Sequence, residues 1–169
     1  YWLAKMIYAG EDPLFIARRL IICAAEDVGN ADPRALDVAV SALHALEAIG
    51  MPEGRIPLAE AAIYIATAPK SNASYLALEA ALKEIASGRV MEVPLPLKDA
   101  HYSGAKRLGR GKGYLYPHDA PDHFIPQDYL PEERRFYEPT DQGEEKGIGK
   151  RLQGWREQKK VLRKDRPSR

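Results

Sequence analysis

Twice in the first fifty residues an Asp-Pro pair opens an alanine-rich apolar run and a glycine closes it: Asp12-Pro13 to Gly29, then Asp32-Pro33 to Gly50. Asp is a strong N-cap, and Pro at the first helical position loses no bond by lacking an N–H. Glycine suits the left-handed backbone just past a helix end. This punctuation predicts two helices in tandem. In the first, Leu14, Phe15, Ile16, Ala17, Leu20, Ile21, Ile22, Ala24 and Ala25 are apolar almost all round, which predicts burial on most sides. Arg18, Arg19, Glu26 and Asp27 mark a narrow wet edge. In the second, Leu36, Val40, Leu43, Leu46 and Ile49 recur at spacings of three and four and predict a core stripe.

Three more helices follow the same logic. Trp2, Leu3, Met6 and Ile7 show helical spacing before Gly10. With no cap or methionine ahead of it, this run reads as a fragment of a longer protein, entered inside a helix. Ile56-Pro57 opens a run with Leu58, Ala61, Ala62, Ile65 and Ala66 inward, ending near Pro69. Ser71 caps a fifth run carrying Tyr75, Leu76, Leu78, Leu82 and Ile85, with Gly88 beyond it. Five helices with short links, residues 1–90, predict an all-α bundle, and the many alanines predict close helix–helix approach.

Composition then changes. Residues 1–90 hold 21 Ala, 5 Gly and 5 Pro and a net charge of 8 − 11 = −3; residues 91–169 hold 3 Ala, 8 Gly and 8 Pro and 17 − 13 = +4. Residues 91–143 therefore read as an irregular strap. Val93-Pro94-Leu95-Pro96-Leu97 is expected to be extended, because each proline pushes its predecessor out of the helical region. Four tyrosines between 102 and 129, with Phe124 and Phe136, make the strap too aromatic for a disordered linker, so it is expected to pack on the bundle. Pro131 to Phe136 could add one helical turn. Residues 144–169 are expected to form a C-terminal helix, with Ile148, Leu152, Trp155 and Leu162 on one side, and a basic tail.

Several classes fall away. No apolar run approaches the roughly 20 residues of a membrane span. The N-terminus has no signal pattern, and the single cysteine, Cys23, cannot form an internal disulfide. The cytoplasm is the expected compartment.

Candidate chemistry is sparse. Gly104 to Arg110 begins with the spacing of a phosphate loop, but Arg110 and Gly111 stand where Lys and Ser/Thr must reach phosphate and Mg²⁺. His118, Asp119, Asp122 and His123 offer ligand types that suit Zn²⁺ or Mn²⁺, yet the histidines lie five apart in a Pro-containing loop without a partner motif. They are better read as turn residues. Cys23 on an apolar helix reads as an inert core thiol, and His44 as a structural histidine near core positions. No catalytic, cofactor or metal residue is therefore assigned. Nucleic-acid contact has more support: Lys106, Arg107, Arg110 and Lys112 are interleaved with glycine and followed by Tyr114 and Tyr116, which suits phosphate contact with base stacking. Residues 146–169 add ten cations against two acids. Self-association is the other reading, since apolar helix surface that a small core cannot hide needs covering.

Segments spread along the chain in order carry a resemblance. They are Tyr1-Trp2-Leu3-Ala4-Lys5-Met6, Ala9 to Leu20, Ala25-Glu26-Asp27-Val28-Gly29, Ala31-Asp32-Pro33 and Gly50 to Arg55. Ala68-Pro69-Lys70-Ser71-Asn72, Gly111-Lys112-Gly113-Tyr114, His118-Asp119, Gln127 to Pro131 and Arg135-Phe136-Tyr137 complete the set. Together they resemble the C-terminal region of the RarA/MgsA family of AAA+ ATPases, to which the Werner-helicase-interacting protein of eukaryotes is related. The chain departs from the family pattern around Tyr102 to Leu108 and in its basic tail. The resemblance implies a collar-like helical domain of the clamp-loader type that holds subunits as a homotetramer. It implies a parent ATPase acting at stalled replication forks and DNA ends, with ATP and Mg²⁺ bound upstream of this region. It also implies work on DNA with single-stranded-DNA-binding protein, in the cytoplasm at the nucleoid. The alternative function is a DNA- or partner-docking module built on the basic strap and tail.

Overall fold

A computed structural model describes residues 1–98, 112–130 and 132–164. Among these the chain is all-helical, with no strand. Its α-helices are α1 (Trp2–Tyr8), α2 (Pro13–Cys23), α3 (Arg34–Ile49), α4 (Arg55–Thr67), α5 (Ala73–Ala86) and α6 (Glu145–Lys164). The residues fall into two compact units, Tyr1–Ala80 with Phe136–Gly149, and Ala81–Arg135 with Lys150–Arg169.

In the first unit the Asp-Pro pairs act as caps. The Asp12 carboxylate accepts hydrogen bonds from the Leu14 and Phe15 amides at 3.0 and 3.1 Å. Asp32 accepts from the Arg34 amide at 3.2 Å. Asp12→Ala leaves two helix-end donors of α2 to water and is expected to lower stability by about 1 kcal/mol, read from thermal denaturation. Gly50 ends α3 with a positive φ of 70°. Past Cys23, α2 runs on as a π-helical stretch, Ala24–Val28, and then a 3₁₀ turn, Gly29–Ala31.

The core consists of two linked clusters. Ala24, Val28, Ala35, Ala39 and Ile65 form one, and Ile16, Ala17, Leu46 and Leu58 the other. Leu20 packs against both. On α3 the buried stripe is Ala35, Ala39, Ala42 and Leu46, whereas the expected Leu36 and Ile49 are 38% and 55% exposed. Both stripes have helical spacing. The alanine stripe wins because small side chains let α3 approach α2 and α4 closely, which leaves the larger residues at the rim. On α2, Ile16 and Ala17 are buried while Leu14, Phe15 and Ile22 are exposed, so this helix is less enclosed than its composition suggests. On α4, Leu58, Ala61 and Ile65 point inward as expected, but Ala66 is exposed. On α5 the expected core residues of this unit, Tyr75, Leu76 and Leu78, are all exposed, and Ala73 is the buried position.

In the second unit the α5 residues Leu82 and Ile85 are likewise exposed. Pro94 is extended, but Leu95–Leu97 forms a 3₁₀ turn where extension was expected. The Leu97 and Lys98 amides find the Pro94 and Leu95 carbonyls, while Pro96 has no N–H to place. Residues 132–135 make no helical turn. Arg134 pairs with Glu132 at 2.5 Å and Arg135 with Glu133 at 3.4 Å, and side chains two apart meet on an extended chain rather than on a helix. Arg134 also binds Glu84 at 2.9 Å. On α6, Trp155 stacks on Phe124 with centroids 4.9 Å apart and planes 7° apart, and Lys159 pairs with Asp128 at 2.7 Å.

Candidate functional site

Of the residues expected to touch nucleic acid, Lys106, Arg107 and Arg110 lie outside the described residues, as does the loop-like run Gly104 to Arg110. Lys112 and Tyr114 are described, and both are exposed. The Gln127 side-chain N–H donates to the Gly113 carbonyl at 3.0 Å and holds the backbone beside Tyr114. Beyond it the Tyr116 ring stands 5.1 Å from His118, and His118 stands 4.8 Å from His123. The two histidines thus meet ring to ring. Among the described residues no three His, Cys, Asp or Glu side chains gather as a metal would require.

The remaining candidates resolve simply. His44 is exposed on α3, not set near the core, because the α3 core stripe is the alanine one. Cys23 is half-buried and donates to Asp27 at 3.2 Å. Burial first, and then Asp27, push its thiol above the ordinary cysteine value, which suits an inert thiol rather than a nucleophile.

The most concentrated chemistry in the first unit was not anticipated. Glu145, the first residue of α6, is fully buried. Its carboxylate accepts from the Ser71 hydroxyl, from Tyr137 Oη at 2.6 Å, and from Thr140 Oγ1 at 2.6 Å and N at 3.0 Å. Asn30 donates to Tyr137 Oη at 3.4 Å and to Ser74 Oγ at 3.0 Å, which extends the network to the 3₁₀ turn Gly29–Ala31 and the start of α5. Burial pushes the Glu145 carboxyl up, and the hydrogen bonds from Ser71, Thr140 and Tyr137 outweigh it, holding the group below the ordinary glutamate value.

Backbone geometry assembles this node. The π-helical stretch turns the Asp27 and Val28 carbonyls toward the Ser71 amide, at 2.9 and 3.3 Å. Gly29 has φ of 50°, and a Cβ there would meet the Ser71 carbonyl oxygen at 2.6 Å. Gly143 has φ of 48°, and a Cβ there would collide with the Ala31 carbonyl oxygen. Only glycine lets these segments close. Nothing in the sequence spacing links Ser71 to a glutamate 74 residues later; the usable signal was a negative residue at a helix start, where the helix dipole favours it.

A second feature is an uncovered apolar surface. On α4, Leu58, Ala61 and Ile65 are buried, while Ile56 and Ile63, seven apart on the opposite face, are 64% and 66% exposed. Ile56 and Ala59 also line an open groove with Leu3, Ala4, Ile7 and Tyr8 of α1. The Tyr8 side chain is almost wholly in solvent, and α1 has no buried residue.

The described residues thus form an all-helical structure with a buried carboxylate clasp and an open apolar face. The sequence profile of the family described as MgsA AAA+ ATPase C terminal matches residues 1–156, and the chain belongs to that family. It is 50% identical over 98% of its length to an uncharacterized AAA domain-containing protein of Mycobacterium tuberculosis, of which it covers 37%. It is 45% identical over 92% of its length to replication-associated recombination protein A of Coxiella burnetii, covering 36% of that protein. Its identity to the ATPase WRNIP1 of Dictyostelium discoideum is 34% over 82% of the chain, covering 16% of that protein. The chain thus spans little more than a third of these two bacterial relatives.

Proposed function

We propose that this domain holds copies of a replication-associated AAA+ ATPase together as a homotetramer, through the outward apolar face of α4 and the groove beside α1. The observation that carries this reading is that α4 buries Leu58, Ala61 and Ile65 and leaves Ile56 and Ile63 exposed on its opposite face, with Glu60 between them. Two largely exposed isoleucines continuous with an apolar groove are surface that a second copy of the chain can cover. Domain function then follows from division of labour. ATP and Mg²⁺ are bound and ATP is hydrolysed by another part of the longer protein, while this part sets subunit number and spacing. The parent works on DNA at stalled forks with single-stranded-DNA-binding protein, in the cytoplasm at the nucleoid. In support, relatives carry replication-associated recombination in their names, and no described helix is long and apolar enough to cross a membrane.

Size-exclusion chromatography with light scattering on the 169-residue chain tests this. The expected result is a mass near four times 18.8 kDa at micromolar concentration. A monomer that persists at high micromolar concentration overturns the reading. The same chain is expected to release no phosphate from ATP.

A further inference from the structure

We propose that α6 of one copy, from Lys150 onward, lies in the groove between α3 and α4 of a second copy and joins the copies head to tail. The inference rests on the reading that the α4 face is a contact between copies, and it names what fills that contact.

Charge divides the chain sharply. The first unit holds 7 cations and 14 acids, a net of 7 − 14 = −7. With the buried Asp32 and Glu145 set aside it is still 7 − 12 = −5. The second unit holds 18 cations and 10 acids, 18 − 10 = +8, and residues 150–169 alone supply 9 − 2 = +7 of it. The whole chain is +1, so two copies have little net repulsion to overcome, while the first unit of one attracts the second unit of another. Burial divides in the same way. Every buried residue among those described lies in the first unit, while the second leaves Leu82, Ile85, Val90, Val93 and Val161 at 49% to 73% exposure. Apolar surface gathered in this way marks a place that another surface covers.

The groove and the helix have complementary linings. Val38, Ala42 and Ala45 of α3 and Pro57 of α4 line the groove, with Asp37 on the α3 side and Glu60 on the α4 side. Both acids are exposed, and among the described residues neither has an ion-pair or hydrogen-bond partner. No cation lines this groove; Arg55 lines the one beside α1 instead. Glu60 also stands between Ile56 and Ile63 on the outward face of α4, so the groove and the exposed isoleucines share a border. On α6, Lys150, Gly154 and Val161 fall on one side at spacings of four and seven, with Arg151 and Trp155 along its edge. Lys150 and Arg151 are exposed and have no partner among the described residues. Trp155 is 37% and Val161 60% exposed, and a Cβ on Gly154 would meet nothing within 4 Å, so this side of the helix is open. The one acid between residues 150 and 164, Glu157, accepts from Gln153 at 3.1 Å. A helix with cations and apolar groups on one side fits a groove of small apolar residues flanked by carboxylates. A contact between two different surfaces leaves each copy with one of each still open, so copies add head to tail until a ring closes.

Charge reversal on the 169-residue chain tests the proposal, with light-scattering mass as the readout. One variant carries Asp37→Lys with Glu60→Lys, the other Lys150→Glu with Arg151→Glu. Each sets like charges face to face across the contact, so each mass is expected to fall from near four times 18.8 kDa toward 18.8 kDa. An equimolar mixture of the two is expected to regain the tetramer mass. In the mixture the reversed groove of one variant accepts the reversed helix of the other, and the two unaltered surfaces pair as before. All four positions are exposed, and circular dichroism checks that each variant keeps its helices. A wild-type chain that stays monomeric overturns this proposal and the oligomer reading together. A tetramer that survives either reversal overturns this proposal alone and leaves the oligomer reading standing. Two monomeric variants that stay monomeric when mixed also overturn it, because the reversed surfaces then do not meet.

Discussion

Replacing Glu145 with alanine is expected to lower the unfolding free energy by about 3 kcal/mol or more, read as a fall in the urea midpoint. The substitution strips a common acceptor from the hydroxyls of Ser71, Tyr137 and Thr140 and from the Thr140 amide. A buried donor left without a partner costs about 1–3 kcal/mol, and here several lose theirs together. Glu145→Gln keeps the volume but loses the charge and replaces one oxygen with a donor, so a smaller loss, about 1–2 kcal/mol, is expected. The pH dependence has a definite sign. The folded carboxyl is held below its ordinary value, so its contribution is complete above the unfolded glutamate pKa of about 4.3. It is lost as the pH falls through the folded value. Asp32, which Arg34 first and Tyr64 next hold below the usual aspartate value, adds a slope of the same sign. Urea midpoints measured from neutral pH into that acid range should therefore fall for the wild-type chain and fall less steeply for Glu145→Gln. Parallel slopes would show that the node does not titrate as its bonding requires.

The second large effect is on assembly. Ile63→Asp and Ile56→Asp place a charge on the outer face of α4, at positions 66% and 64% exposed. In a lone subunit such surface changes shift stability by no more than about 0.5 kcal/mol. In an assembly closed over that face, each buries an unpaired carboxylate, which costs several kcal/mol per interface. The expected result is a chain whose helical circular dichroism is intact and whose light-scattering mass falls from the tetramer toward the monomer. A tetramer that survives both substitutions would place the subunit contact on another surface.

The sequence and the structure agree most closely where the cause is local. Asp12, Asp32 and Gly50 mark helix ends because a cap needs only its own next few residues. The choice of buried face was less legible. On α3, leucines and alanines both recur with helical period, and only the packing distance to α2 and α4 selects Ala35, Ala39 and Ala42. On α5, a regular apolar stripe looked like core, yet Tyr75, Leu78, Leu82 and Ile85 are all exposed, because periodicity says that a face is apolar and not what covers it. The Glu145 node was illegible for a different reason. Its partners come from residues 30, 71, 137 and 140, and no spacing rule joins residues so far apart. The contact between the two histidine rings was half legible. His118 and His123 stood out as a pair, but their seating depends on left-handed backbone at Asp122 and His123, which residue types alone did not signal.

The clasp also orders events in time. Ser71 and Asn30 leave the ribosome long before Glu145, and the first unit lacks its last piece until residue 149 has been made. At about 5–20 residues per second, the 69 residues from 81 to 149 take on the order of 3–14 seconds to synthesise. Throughout that interval the Ser71 hydroxyl and the Ala31 carbonyl, which later receives the Glu144 amide at 2.8 Å, face water. Both core clusters come from residues made before this interval, so the downstream chain arrives to cover a polar edge rather than to build the core, and a product broken off in the interval is chemically distinguishable from a finished one by that unshielded edge.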